Sequence, residues 1–226
     1  HYRFHYFPKS VAENEIESII ARQETGYKKI IDFLNVPKPD RLIEYYLYPN
    51  KETKIRLMGD DWYAQAIYNE FRVHLLYTET IKPLGEHEDT HLLSLLWGLS
   101  IGFFQEGLAE YLVGQAWDEK PHLEHVLEGY SKNIYPSLAD FMDHQAWLKT
   151  DDTQAIYFYS LAGAFVSFII KTFGKNHFES FYRQSNRDNT GQKNWQLFQS
   201  IYGKNIEELE TEFKKLISND YNRIKQ

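Results

Sequence analysis

No cysteine occurs among the 226 residues of this chain, and only 7 are proline. Without cysteine there is no disulfide scaffold, no thiol nucleophile and no cysteine-bound metal. Any metal must be held by histidine, aspartate or glutamate, a donor set that suits zinc. An excess of positive charge is also missing. Lysine and arginine number 25 against 32 acidic residues, a net charge of −7, so no general basic field attracts a phosphate backbone and nucleic acid is not expected as a partner. Long apolar runs are absent as well: residues 92–104 and 155–170 are the longest, short of the roughly 18 that cross a bilayer. Neither an internal repeat nor a low-complexity tract is present. The chain opens at His1 with no basic stretch and apolar core behind it. A soluble domain is expected, any export signal or lipid anchor lying upstream of the given residues.

What is present supports a packed core: 42% hydrophobic residues, 16% of the chain aromatic, enough for one sizeable domain or two subdomains. Residues 2–7 alternate aromatic and polar, as a strand does. Residues 12–34 carry apolar side chains at helical spacing (Ile16, Ile19, Ile20, Tyr27, Ile30, Ile31, Leu34) until Pro37 and Pro39. β character returns at 41–48, then at 62–68 and 71–77, the last two separated by Asn69-Glu70, a candidate tight turn. Beyond Pro83 the spacing is helical almost throughout. The pattern predicts an α+β fold: a small N-terminal sheet backed by one helix, then a mostly helical second half.

The decisive stretch is His87-Glu88-Asp89-Thr90-His91. Residues four apart on an α-helix lie on one face, so both imidazoles can bind one metal ion. Glu88 sits beside them, where a carboxylate can take a proton from metal-bound water. Alone, so short a motif is weak. A second signal follows in Phe103-Phe104-Gln105-Glu106-Gly107-Leu108-Ala109-Glu110-Tyr111. Glu106 and Glu110 share a helical face in an apolar segment, and no Lys or Arg lies between Lys82 and Lys120. Carboxylates in such surroundings call for a cation, and either glutamate is a candidate third ligand. The remaining histidines carry no such pattern. His74 falls in a strand, His122 and His125 flank an expected loop, and His144 and His177 read as surface positions; none is expected to bind the catalytic metal.

His-Glu-x-x-His followed by Glu-Gly-x-Ala-x-Tyr resembles the gluzincin metallopeptidases, the group of thermolysin and the aminopeptidase-N-like enzymes. The chain as a whole looks like the small peptidase MA-like domains of that superfamily. It shares an opening strand, a helix ending in Leu34-Asn35-Val36-Pro37, the strand Tyr46-Leu47-Tyr48-Pro49, and Tyr202-Gly203-Lys204 before an acidic helix. The resemblance implies a zincin-like fold with an active-site cleft between residues 1–98, which carry the histidines, and residues 99–226, which carry the third ligand. It implies one Zn2+ held by His87, His91 and Glu106, with Glu88 as general base and Glu110 orienting a ligand histidine. The interval from His91 to Glu106 is shorter than in those enzymes, whereas Glu110 falls near their spacing, so the assignment rests on the flanking residues.

Downstream, Tyr157-Phe158-Tyr159-Ser160-Leu161-Ala162-Gly163 resembles the aminopeptidase-N-like segment whose tyrosine stabilises the oxyanion. Tyr159 aligns with it, and Tyr157 is the alternative. The implied activity is hydrolysis of peptide bonds in a peptide or protein substrate, held as an added strand along residues 71–77. The Gly-x-Met-Glu-Asn signature that binds a substrate amine is absent, which argues for an endopeptidase. The alternative from another class is a non-catalytic, zinc-stabilised peptide-binding module. An intact Glu88 argues against it, and a purely structural zinc is usually closed by four protein ligands.

Overall fold

The computed structural model describes residues 1–224, and it divides into two compact units, His1–Leu96 and Trp97–Gln226. In the first unit, strand β1 (Tyr2–Tyr6) leads into helix α1 (Val11–Leu34), which returns the chain to strand β2 (Ile43–Tyr48). Ser10 starts α1 by accepting a hydrogen bond from the Glu13 amide. The buried stripe of α1 is Ala12, Ile19, Gln23, Gly26, Tyr27, Ile30 and Leu34, the three-and-four spacing that one face of a helix requires. Ile20, expected in that stripe, is exposed. A polar residue, Gln23, sits within it.

A short helix, α2 (Lys51–Met58), follows β2 where no helix was expected. Asn50 caps its start and Gly59 its end. Next come β3 (Ala64–Ile67) and β4 (Arg72–Leu76), an antiparallel hairpin turning at Asn69-Glu70 as the pattern predicts. The sheet order is β1-β2-β4-β3, with β1 parallel to β2 and β2 parallel to β4. This corrects one expectation. The 71–77 run is β4, which lies between β2 and β3 and so has neither edge free for a substrate strand; β3 is the outer strand on that side, and β1 on the other. Ile43, Tyr45, Leu47, Val73 and Leu75 are buried, the alternate positions that face one side of a sheet. Helix α3 (Glu86–Leu93) closes the unit.

The second unit is helical: α4 (Gly102–Val113), α5 (His122–Ser131), the single turn α6 (His144–Trp147), α7 (Ala155–Phe173), α8 (Lys175–Gln184), α9 (Gly191–Tyr202) and α10 (Ile206–Ile224). Helices α4 and α7 form its centre. A Cβ on Gly107 would come within 2.6 Å of Val166 and 2.7 Å of the Ala162 carbonyl, so the helices pack this closely only because the residue is glycine. Phe103, Phe104, Phe141, Phe165, Phe178, Phe181, Phe198 and Phe213 fill the core around them. With the turn before it, α7 is long and apolar enough to cross a membrane, the one such helix among the described residues. Half of its apolar window is buried inside the protein, as in the core helix of a globular unit. Four strands and a helical second half make the α+β class plain.

Candidate metal centre

Gly85 opens α3 with φ of 123°, a conformation that side chains strain to adopt. Both of its backbone groups meet Gln23: the amide donates to Gln23 Oε1 (2.7 Å) and the carbonyl accepts from Gln23 Nε2 (3.3 Å). The polar residue in the α1 stripe thus fixes where α3 begins. From that start, the helix carries His87 and His91 on one face, one turn apart. Their Nε2 atoms are 3.2 Å from each other. Glu106, in the middle of α4, joins them. Each of the three residues offers one ligand atom, and these atoms lie within 4.8 Å of one another. Two imidazole nitrogens and one carboxylate oxygen so placed can hold a metal ion. It is the one group of three or more such residues found among the described side chains.

His91 is buried, whereas His87, Glu88 and Glu106 are partly exposed. Glu86, at the head of α3, is paired with Lys29 (3.1 Å). The ring of Tyr68, just past β3, lies 6.2 Å from that of His91. Glu110 is buried and its Oε2 is 3.4 Å from His122 Nε2. The partner that the sequence around Glu110 lacks therefore comes from α5. Tyr159 is half-buried, its ring beside Trp147 (5.6 Å) and Trp117 (5.9 Å). Tyr157 accepts a hydrogen bond from Lys132 Nζ (3.0 Å).

Three of the histidines set aside are placed differently from expectation. His122 and His125 lie in α5, both buried, and His125 meets Asp118 at 2.9 Å. His144 is buried rather than at the surface, and its Nδ1 accepts from the Gly102 amide (3.1 Å) at the head of α4. Desolvation lowers its pKa, with the Arg187 charge adding to the effect. Arg187 itself donates through Nε to the Ser100 carbonyl (2.9 Å) and through Nη2 to Gln105, the neighbour of Glu106. A separate concavity in this unit, lined in part by Asp140, Phe141, Asp143, Asp151 and Phe158, contains none of these residues.

Sequence reasoning passed over Asp89. Lying between the two histidines, it is completely buried. Tyr2 donates to its Oδ2 and Tyr45 to its Oδ1, both at 2.5 Å, and Gln23 Nε2 adds a third bond at 3.1 Å. Burial pushes the Asp89 carboxyl up to about 7 against the pull of the two phenols. Burial and that same carboxylate hold both phenols well above their ordinary range. The signal was a polar residue on the apolar side of two elements, Gln23 in α1 and Asp89 in α3.

No protein-family model matches the chain, and no curated protein matches it.

Proposed function

We propose that the chain is a zinc-dependent peptidase of the gluzincin kind, acting as an endopeptidase. The observation that carries the reading is the convergence of His87, His91 and Glu106 next to a glutamate with no place in the ligand set. Tetrahedral zinc, with bonds of about 2.0–2.1 Å to nitrogen, separates two imidazole nitrogens by about 3.3 Å. The 3.2 Å between the two Nε2 atoms fits that requirement. A zincin-like fold with a substrate cleft belongs to the same reading. So do its subdomains, residues 1–98 with the histidines and 99–226 with the third ligand.

When bound, zinc lowers the pKa of a water and polarises a substrate carbonyl. Glu88 takes the proton that the attacking water gives up, then returns it to the leaving amine. Tyr159 donates its hydroxyl to the oxyanion that develops on the carbonyl. As the outer strand, β3 replaces residues 71–77 as the segment that holds substrate in extended form, with Tyr68 leading from it toward His91. The test is a peptide-library cleavage assay on the whole chain, with and without a chelator. Chelator-sensitive cleavage within peptides is expected, lost by about 10²–10⁴-fold in Glu88→Gln while metal is retained. Cleavage that survives in Glu88→Gln contradicts the role of Glu88. Metal binding with no cleavage of any peptide favours the non-catalytic module.

A further inference from the structure

Asp89 makes no contribution to the chemistry just described, yet it is the most deeply buried carboxylate of the first unit. Two residues along a helix is about 200° of rotation, so Asp89 faces roughly away from both His87 and His91. Whatever grips the Asp89 face therefore sets the direction of the histidine face. An apolar side chain would bury that surface without the desolvation cost of a carboxylate, but it would not fix the rotation of so short a helix. Directed hydrogen bonds do. One carboxylate oxygen is held by Tyr2 from β1, the other by Tyr45 from β2, and Gln23 from α1 bonds both Asp89 and the Gly85 backbone. Gln23 Nε2 also donates to the Tyr45 hydroxyl (2.7 Å), tying the donors to one another. Three elements thus converge on one side chain of α3.

We infer that Asp89 is a positioning residue: its grip by Tyr2, Tyr45 and Gln23 sets the rotation of α3, and with it where His87 and His91 point. The consequence for metal rests on the zinc reading above; the anchoring of α3 does not. The network is opened most gently by the double variant Tyr2→Phe, Tyr45→Phe, which keeps both rings. Asp89→Asn is the second variant. Ile30→Val, at a fully buried α1 position outside the network, controls for a general loss of stability. Two quantities are read on the whole chain: amide hydrogen exchange across residues 86–93, and cobalt(II) affinity by competition with a chelator. In the double variant, exchange in α3 should quicken about 10-fold or more relative to Ile30→Val, and cobalt affinity should fall about 10–100-fold. Asp89→Asn should move both in the same direction. Exchange in α3 equal to that of the control overturns the inference. So does quickened exchange with undiminished cobalt affinity, which would make the network merely structural. Failure of the wild-type chain to take up cobalt instead overturns the metal reading itself, and this consequence with it.

Discussion

The two helices that bring the candidate ligands together are anchored by opposite means. In the first unit α3 is short and held through polar groups: a buried carboxylate, two phenols and an amide. The interior around the sheet carries other polar groups, including Lys54 with Asp60 and His74 with Tyr48. In the second unit α4 is longer and apolar, seated against α7 through Gly107 and wrapped in phenylalanine. Polar contacts reach it at its head, where His144 meets the Gly102 amide and Arg187 meets Ser100 and Gln105, and again at Glu110, which meets His122. Directional bonds aim a helix at the cost of sensitivity to charge; close packing holds one firmly with little such sensitivity.

If that contrast holds, the largest loss of stability should come from the packed side. Phe104 is fully buried against Phe165, Phe178, Phe181 and Phe198. Phe104→Ala should cost about 3–5 kcal/mol in urea unfolding. A cost below about 1 kcal/mol would mean the second unit is not held by this cluster.

On the polar side His74 is sensitive to acid. Burial, with Lys54 and Arg72 adding to it, lowers the His74 pKa to about 4. In the unfolded chain the imidazole titrates near 6.5, so between these values the unfolded state binds more protons. The native state is therefore unpenalised above about pH 6.5 and loses stability as pH falls from there toward 4. By pH 5 the loss is about 2 kcal/mol, and His74→Gln should remove most of it. The depressed pKa of His144 acts in the same direction in the second unit. Between pH 7 and pH 5 urea unfolding should therefore lose about 2 kcal/mol more in the wild-type chain than in His74→Gln. An equal change in the two chains would contradict the buried, neutral state of His74.

A smaller effect is expected at the head of α4. Arg187→Ala leaves the buried Gln105 side chain without this donor, a loss of about 1–2 kcal/mol in unfolding. Arg187→Lys should not fully restore it, because one ammonium cannot reproduce the two guanidinium contacts to Ser100 and Gln105. Full rescue by lysine would show that only the charge matters there.

The features legible in the sequence were those written in local periodicity. Helix α1, strand β2 and the β3–β4 hairpin follow from the spacing of Ile19, Tyr27 and Ile30, from the run at 41–48, and from Asn69-Glu70. The histidine pair was legible for a related reason, since His87 and His91 need only a helix, whereas Glu106 was told from Glu110 by the resemblance of its flanking residues. Helix α2 was missed although Asn50 and Gly59 flank it as caps, because its residues form no apolar stripe. The sheet order was not legible at all. Nothing in the residues of 71–77 says that a strand from 64–67 will cover their outer edge, because pairing is decided by contacts distant in sequence. Asp89 was passed over and His144 was read as a surface position for the same reason: their partners, Tyr2, Tyr45 and the Gly102 amide, lie far away along the chain.

The central claim is the metal centre, and the metal content of the purified whole chain tests it most directly. After equilibration with zinc and removal of loosely bound metal, the wild-type chain should retain about one zinc ion, and the His87→Ala, His91→Ala double variant close to none. Glu106→Ala should lose tight binding as well, whereas Glu110→Ala should weaken it by about 10–100-fold. Equal zinc in the wild-type chain and the double-histidine variant, or none in either, would contradict the account.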